Sequence, residues 1–151
     1  AGTVFQPDKN ITRGEFALMV ARWMGLDLAS YSNVELPFAD ASSIASWALD
    51  GMKAMYAEGI IKGSLDSGTL VVRANDSISR AEAMTILGRI QDKGYVRSEL
   101  TFSDAGDVAS WALPYVQSRV GQGIISGYDN QLRPNDPVKR GEVAKMLYCM
   151  L

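Results

Sequence analysis

The sequence predicts an all-α domain assembled from repeats. Three observations lead there: a long stretch that recurs without a gap, apolar residues at helical spacing in every copy, and helix-capping patterns at matching positions. With 151 residues and 47% apolar composition, the chain is long enough to bury a core and falls within the size of one ordinary domain.

The recurrence comes first, because it sets the boundaries of everything else. FADASSIASWALDGMKAMYAEGIIKG at 38–63 aligns with FSDAGDVASWALPYVQSRVGQGIISG at 102–127, sharing Phe38, Asp40, Ser46, Trp47, Ala48, Leu49, Gly59, Ile60, Ile61 and Gly63. A second block follows each stretch, at 63–90 and at 127–151, the former with four extra loop residues. The opening FQPDKNITRGEFALMVARWMGL at 5–26 matches only this second block. The expected organisation is one domain over 1–151. It comprises the second half of a repeat (1–26), a complete repeat (38–90), another (102–151), and polar connectors at 27–37 and 91–101.

Each repeat reads as helix, glycine-punctuated loop, helix. In the first helix Ile44, Trp47, Ala48, Gly51 and Met55 fall on one apolar stripe, and Val108, Trp111, Ala112, Tyr115 and Arg119 take the same register. Pro114 is tolerated only near a helix start, so the second copy begins close to Trp111, and Gly59 and Gly123 are natural C-caps. The second helix carries Phe16, Met19, Val20 and Trp23, repeated as Ala83, Ile86, Leu87 and Ile90 and as Val143, Met146, Leu147 and Met150. Three copies of one stripe suggest three helices packed together. A single two-helix unit cannot bury both of its apolar faces, so the units are expected to share a core.

The second helix opens on ITRGE (11–15), ISRAE (78–82) and VKRGE (138–142). Thr12 with Glu15, and Ser79 with Glu82, form capping boxes, in which a hydroxyl serves the N3 amide and a carboxylate serves the cap amide. Lys139 has no acceptor and cannot cap the third. Capping does not explain Arg13, Arg80 and Arg140. At N1 a guanidinium faces the positive end of the helix dipole, at a cost of about 0.3–1 kcal/mol. Exposed helix N–H groups beside such a guanidinium suit a carboxylate or phosphate, each charge-assisted bond contributing on the order of 1.5–3 kcal/mol. The alternative is an internal pair with an acid such as Asp8, Asp76 or Asp136. Trp47 and Trp111 sit on the apolar stripe, where core packing competes with presentation of the ring to a sugar. The GIIKG and GIISG loops are turn formers that also permit close backbone approach.

Composition excludes much else. A net charge of −2 supplies no field for nucleic acid or an anionic membrane, and no apolar run approaches the roughly 18 residues that cross a bilayer. No histidine and a single cysteine, Cys149, remove disulfide frameworks, thiolate zinc sites and histidine-based catalytic dyads or triads, and Cys149 is expected to be a core thiol. SLDSG and YDNQLRPND lack the alternating ligands and distal glutamate of a calcium loop. Neither a metal nor a cofactor is expected.

Taken together, F-x-D, the S-W-A helix, G-I-I-x-G and I-T-R-x-E before an apolar helix resemble the S-layer homology domain over nearly the whole chain. The resemblance implies a pseudo-threefold all-α spindle, with a central three-helix bundle and projecting prongs of which the first is incomplete here. It also implies noncatalytic anchoring to the bacterial cell wall or surface layer, outside the cell. The implied partner is a secondary cell-wall polysaccharide ending in a pyruvylated sugar such as ketal-pyruvyl N-acetylmannosamine.

Carried onto this chain, the resemblance pairs Arg13 with Trp47, Gly63 and Ser64, and Arg80 with Trp111, Gly127 and Tyr128. Lys53 and Lys62 would help. Arg140 would lack a neighbouring leading half-repeat. Either the chain is a trimmed fragment, or the missing helix is supplied by another chain or by disordered upstream residues. An exposed apolar flank left by its absence would favour self-association. The competing class is a helical-repeat interaction or self-assembly module without saccharide affinity. A wall-glycan hydrolase would need a matched carboxylate pair in a cleft, whereas the repeated acids read as caps and loop residues.

Overall fold

A computed structural model describes residues 6–90, 99–121 and 129–150. Its contacts divide the chain into two compact units, one formed by Ile11–Ser77 and the other by Ala1–Asn10 with Ile78–Leu151. Neither unit coincides with a sequence repeat.

In the unit Ile11–Ser77, helix α1 (Arg13–Trp23) packs on helix α2 (Ser46–Ala57). The expected stripe of α1 is inward at Phe16 and Val20, both fully buried, while Met19 and Trp23 lie at its half-buried margin. Helix α2 meets it with Ala48, Met52 and Met55. Gly51 sits so close to α1 that an added Cβ would lie 3.0 Å from the Leu18 Cα. The end of α2 is the expected glycine cap. Gly59 has φ +73, its N–H donates to Tyr56 O at 2.9 Å, and Ile60 N–H reaches back to Met55 O at 3.0 Å. The connector folds into a short 3-10 turn, Leu28–Tyr31, laid against α2 and tied there by Lys53 Nζ to Ser32 O and by Tyr31 Oη to Glu58 Oε1.

Two short strands follow, β1 (Ser64–Asp66) and β2 (Thr69–Val71), antiparallel with Leu65 opposite Leu70. Ser67 and Gly68 join them with φ of 51° and 83°, the doubly positive geometry of a two-residue hairpin turn. This overturns the expected fold class. The chain is a mixture of helices and a β-hairpin, not an all-α pseudo-threefold spindle, and its described helices pack as the pairs α1 with α2 and α3 with α4. The four additional loop residues fall within the hairpin Ser64–Val71, whose three-residue strands are too short for alternation to show in the sequence.

In the other unit, helix α3 (Arg80–Ile90) packs on helix α4 (Leu113–Gly121), and helix α5 (Arg140–Cys149) completes the described elements. Pro114 lies in the first turn of α4, as its missing N–H requires. Ala83, Met84 and Leu87 of α3, Ala112 and Val116 beside and within α4, and Val143, Met146 and Leu147 of α5 are buried. Cys149 is exposed, against the expected core thiol, because it stands at the edge of the α5 stripe, not on it.

Candidate functional site

The starts of the three motif helices are built alike. Thr12 Oγ1 accepts from Glu15 N–H at 3.1 Å while Glu15 Oε1 accepts from Thr12 N–H at 3.2 Å, and Ser79 with Glu82 repeats both bonds at 3.1 Å. At α5 only half of the box forms, with Glu142 Oε1 accepting from Lys139 N–H at 3.0 Å. Lys139 Nζ points elsewhere, 3.5 Å from Asp8 O.

The next two N–H groups of each helix are also taken, all at 2.9 Å. Arg13 and Gly14 donate to Asp76 O and Ala74 O, Arg80 and Ala81 to Asp136 O and Pro134 O, and Arg140 and Gly141 to Lys9 O and Pro7 O. The exposed N–H groups expected from the sequence are therefore spent inside the protein. A turn that leads into another of the motif helices lies across each helix start and supplies the carbonyls that take the place of an anion. Arg73 and Arg133, both at φ 52°, begin two of these turns.

What remains for a ligand is side chain. Arg13 and Arg140 are half-buried, whereas Arg80 is 3% exposed. Arg80 Nε donates to Leu132 O at 2.8 Å and the guanidinium pairs with the Glu142 carboxylate. Trp47 and Trp111 are 55% and 53% exposed, so the stripe that seemed to claim them for the core does not hold them. Trp47 flanks the buried line through Ala48, Met52 and Met55 at the second residue of α2, and Trp111 lies just ahead of α4.

In the first expected cluster, an added Cβ on Gly14, the residue after Arg13, would lie 3.4 Å from the Cβ of Ala48, the residue after Trp47. Strand β2 runs directly into Val72–Ala74, where Ala74 O receives the Gly14 N–H. Ser64 is exposed on β1. Gly63 has φ +74, and an added Cβ would lie 2.5 Å from Phe38 Cε1 and 2.8 Å from Val71 O, so its close approach serves an internal ring. In the second cluster Gly127 and Tyr128, like the C-cap glycine Gly123, lie outside the described residues. Of the two lysines, Lys53 is tied to the connector at Ser32 O and Lys62 is exposed.

The F-x-D aspartates, which the sequence marks only by repetition, act as staples. Asp40 accepts from Val72 and Arg73 N–H at 3.0 and 2.9 Å, and Asp104 from Leu132 and Arg133 N–H at 2.7 and 2.8 Å. Desolvation pushes the Asp104 carboxyl upward, but the N–H bonds from Leu132 and Arg133 outweigh it and hold its pKa below the ordinary 3.8. A polar hollow of about 280 Å³ opens beside it, lined by Asp107, Gln131, Arg133 and Asn135 among others. Among the described residues no group of three or more His, Cys, Asp or Glu side chains is arranged to hold a metal ion, and no helix is long and apolar enough to cross a membrane.

Comparison with known proteins matches the S-layer homology domain family at residues 1–17, 37–84 and 101–144. A cellulosome-anchoring protein of Acetivibrio thermocellus is 31% identical over 97% of this chain and 33% of its own length. An amylopullulanase of Thermoanaerobacterium thermosulfurigenes is 32% identical over 99% of this chain and 8% of its own length. A surface-layer 125 kDa protein of Lysinibacillus sphaericus is 29% identical over 93% of this chain and 12% of its own. The chain thus spans a third or less of each of these relatives.

Proposed function

The chain belongs to the S-layer homology domain family, and from that premise we propose that it is a noncatalytic module anchoring its protein to the bacterial cell surface by binding secondary cell-wall polysaccharide. Recognition runs through a pyruvylated terminal sugar such as ketal-pyruvyl N-acetylmannosamine. The observation that carries this reading is the solvent exposure of two equivalent tryptophans, at 55% and 53%, each at the start of its helix. A buried indole contributes to the core, whereas an exposed one at a matching position in both repeats offers a flat apolar face for a sugar ring. Arg13, whose neighbour Gly14 meets Ala48 next to Trp47, supplies the guanidinium for the pyruvyl carboxylate.

Anchoring proteins among the relatives support the coarse function, since the cellulosome-anchoring protein and the surface-layer protein carry this similarity over almost all of the present chain. In the amylopullulanase the matched portion is 8% of the protein, which accords with a module attached to a catalytic remainder.

Calorimetric titration with the pyruvylated sugar and its unpyruvylated twin tests both parts. Trp47→Ala and Trp111→Ala are expected to keep stability within about 0.5 kcal/mol, as exposed substitutions do, while weakening saccharide binding by about tenfold. Equal affinity for the two sugars rejects the carboxylate role. The competing self-assembly reading draws on Leu65 and Tyr148, which are 74% and 75% exposed. Light scattering that finds tight oligomers without saccharide affinity would favour it.

A further inference from the structure

Arg80 occupies the position that the repeats equate with Arg13, yet it is 3% exposed and its guanidinium already holds a carboxylate. We propose that Glu142 is a built-in occupant of Arg80, closing this motif arginine to ligand carboxylates and making it a positioning residue for the third repeat. The identity of the excluded ligand rests on the pyruvylated-sugar reading, whereas the closed state of Arg80 does not.

The Glu142 carboxylate is fixed from two sides. Oε1 accepts the Lys139 N–H at 3.0 Å, and Oε2 is the oxygen that meets Arg80 Nη1. Lys139 cannot return a side-chain bond, so the backbone amide and Arg80 together set where this carboxylate lies. Arg80 is fixed too, with its Nε on Leu132 O at 2.8 Å. Leu132 in turn gives its N–H to Asp104 at 2.7 Å, so the F-x-D staple, the loop carbonyl, the arginine and the motif glutamate of α5 form one continuous line.

An external carboxylate has to displace a group that is covalently held in place and already partly desolvated. The internal competitor acts at the high effective concentration of an intramolecular partner. Displacement would also separate a half-buried glutamate from the guanidinium that pairs with it, which is unfavourable for a partly desolvated ion. The chain therefore carries more motif arginines than carboxylate sites, and Glu142 decides which of them is withdrawn.

The test uses the whole chain with nitrogen-labelled arginine side chains, read by nuclear magnetic resonance. Glu142→Gln keeps an acceptor for the Lys139 N–H, because glutamine serves the same cap position, but removes the charge. The Arg80 Nη1 protons, which face Glu142, are expected to exchange with water at least about tenfold faster in E142Q than in the wild type, corresponding to loss of one charge-assisted bond. On titration with pyruvylated N-acetylmannosamine the Arg80 resonance should stay fixed in the wild type and move in E142Q. The paired substitution Arg80→Met with Glu142→Met, which leaves no single buried charge, should bind the saccharide with wild-type affinity and stoichiometry.

Three results overturn the inference: Arg80 Nη1 proton exchange as fast as that of an exposed arginine in the wild type, an Arg80 resonance that moves with saccharide in the wild type, or lost binding in a folded paired variant. If no resonance responds to the saccharide in any form, the pyruvylated-sugar reading fails. The exchange rates of Arg80 still decide whether Glu142 holds it.

Discussion

Replacing Gly63 by alanine separates two penalties that usually arrive together. Gly59 and Gly63 have nearly the same backbone conformation, at φ +73 and φ +74, so an alanine at either carries the same left-handed cost of about 1–2 kcal/mol. They differ in surroundings. Nothing lies within 4 Å of a Cβ at Gly59, whereas a Cβ at Gly63 would sit 2.5 Å from Phe38 Cε1 and 2.8 Å from Val71 O. Neither neighbour yields easily. Phe38 is 4% exposed and packs edge-on against Tyr56 with ring centroids 5.5 Å apart, and the Val71 carbonyl belongs to β2. Overpacking of this kind costs about 1–3 kcal/mol. Gly59→Ala should therefore lose about 1–2 kcal/mol and Gly63→Ala about 2–5 kcal/mol, read as urea midpoints at unchanged slope. Equal losses for the two variants would refute the argument, because they would mean that the Phe38 ring moves aside at no cost and that Gly63 is set by its φ alone.

Lys139→Ser should restore the missing half of the third capping box and raise stability by about 1 kcal/mol, measured by denaturant titration, while Thr12→Ala should lower it by a similar amount. Asp104→Ala should cost about 1–2 kcal/mol near neutral pH by stranding the Leu132 and Arg133 N–H groups. Because the folded Asp104 pKa lies below 3.8, its contribution is complete above that value and fades as pH falls through the folded pKa. The stability gap between wild type and this variant should accordingly close only in the acid range below pH 3.8, as followed by thermal unfolding across pH.

The capping boxes at Thr12 and Ser79, the absent cap at Lys139 and the glycine end of α2 were all legible in the sequence, since each depends on residues within one or two turns. Spacing placed Phe16, Val20, Ala83, Leu87 and the α5 stripe inward for the same reason, but it missed the buried Met84 and counted the half-buried Met19, Trp23, Ile86 and Ile90. The hairpin was not legible, because three-residue strands carry too little alternation, although Ser67-Gly68 between Leu65 and Leu70 was the available turn signal. The tryptophans show the limit of a stripe argument. Trp47 is one position from Ala48, and a single step along a helix turns a side chain by about 100°. At the candidate site the residue types were readable but their depth was not. That Arg80 meets Glu142 and Leu132 depends on contacts between segments far apart in sequence, which no local pattern encodes.

The division of the chain at Asn10–Ile11 and Ser77–Ile78 sets folding out of phase with the written repeat. The repeats run from one F-x-D to the next, yet Ile11–Ser77 joins the motif helix α1 to the leading helix α2 of the following copy. The other unit joins α3 to α4 in the same way and adds α5. A segment excised at the polar connectors would carry two helices that each lost the partner they bury against. A shuffled module should therefore be bounded ahead of Ile11 and after Ser77, where α1 and α2 leave together, whereas α3 and α4 leave intact only with α5 and the segment up to Asn10. Gene fusions that respect the written repeat would break the folded one.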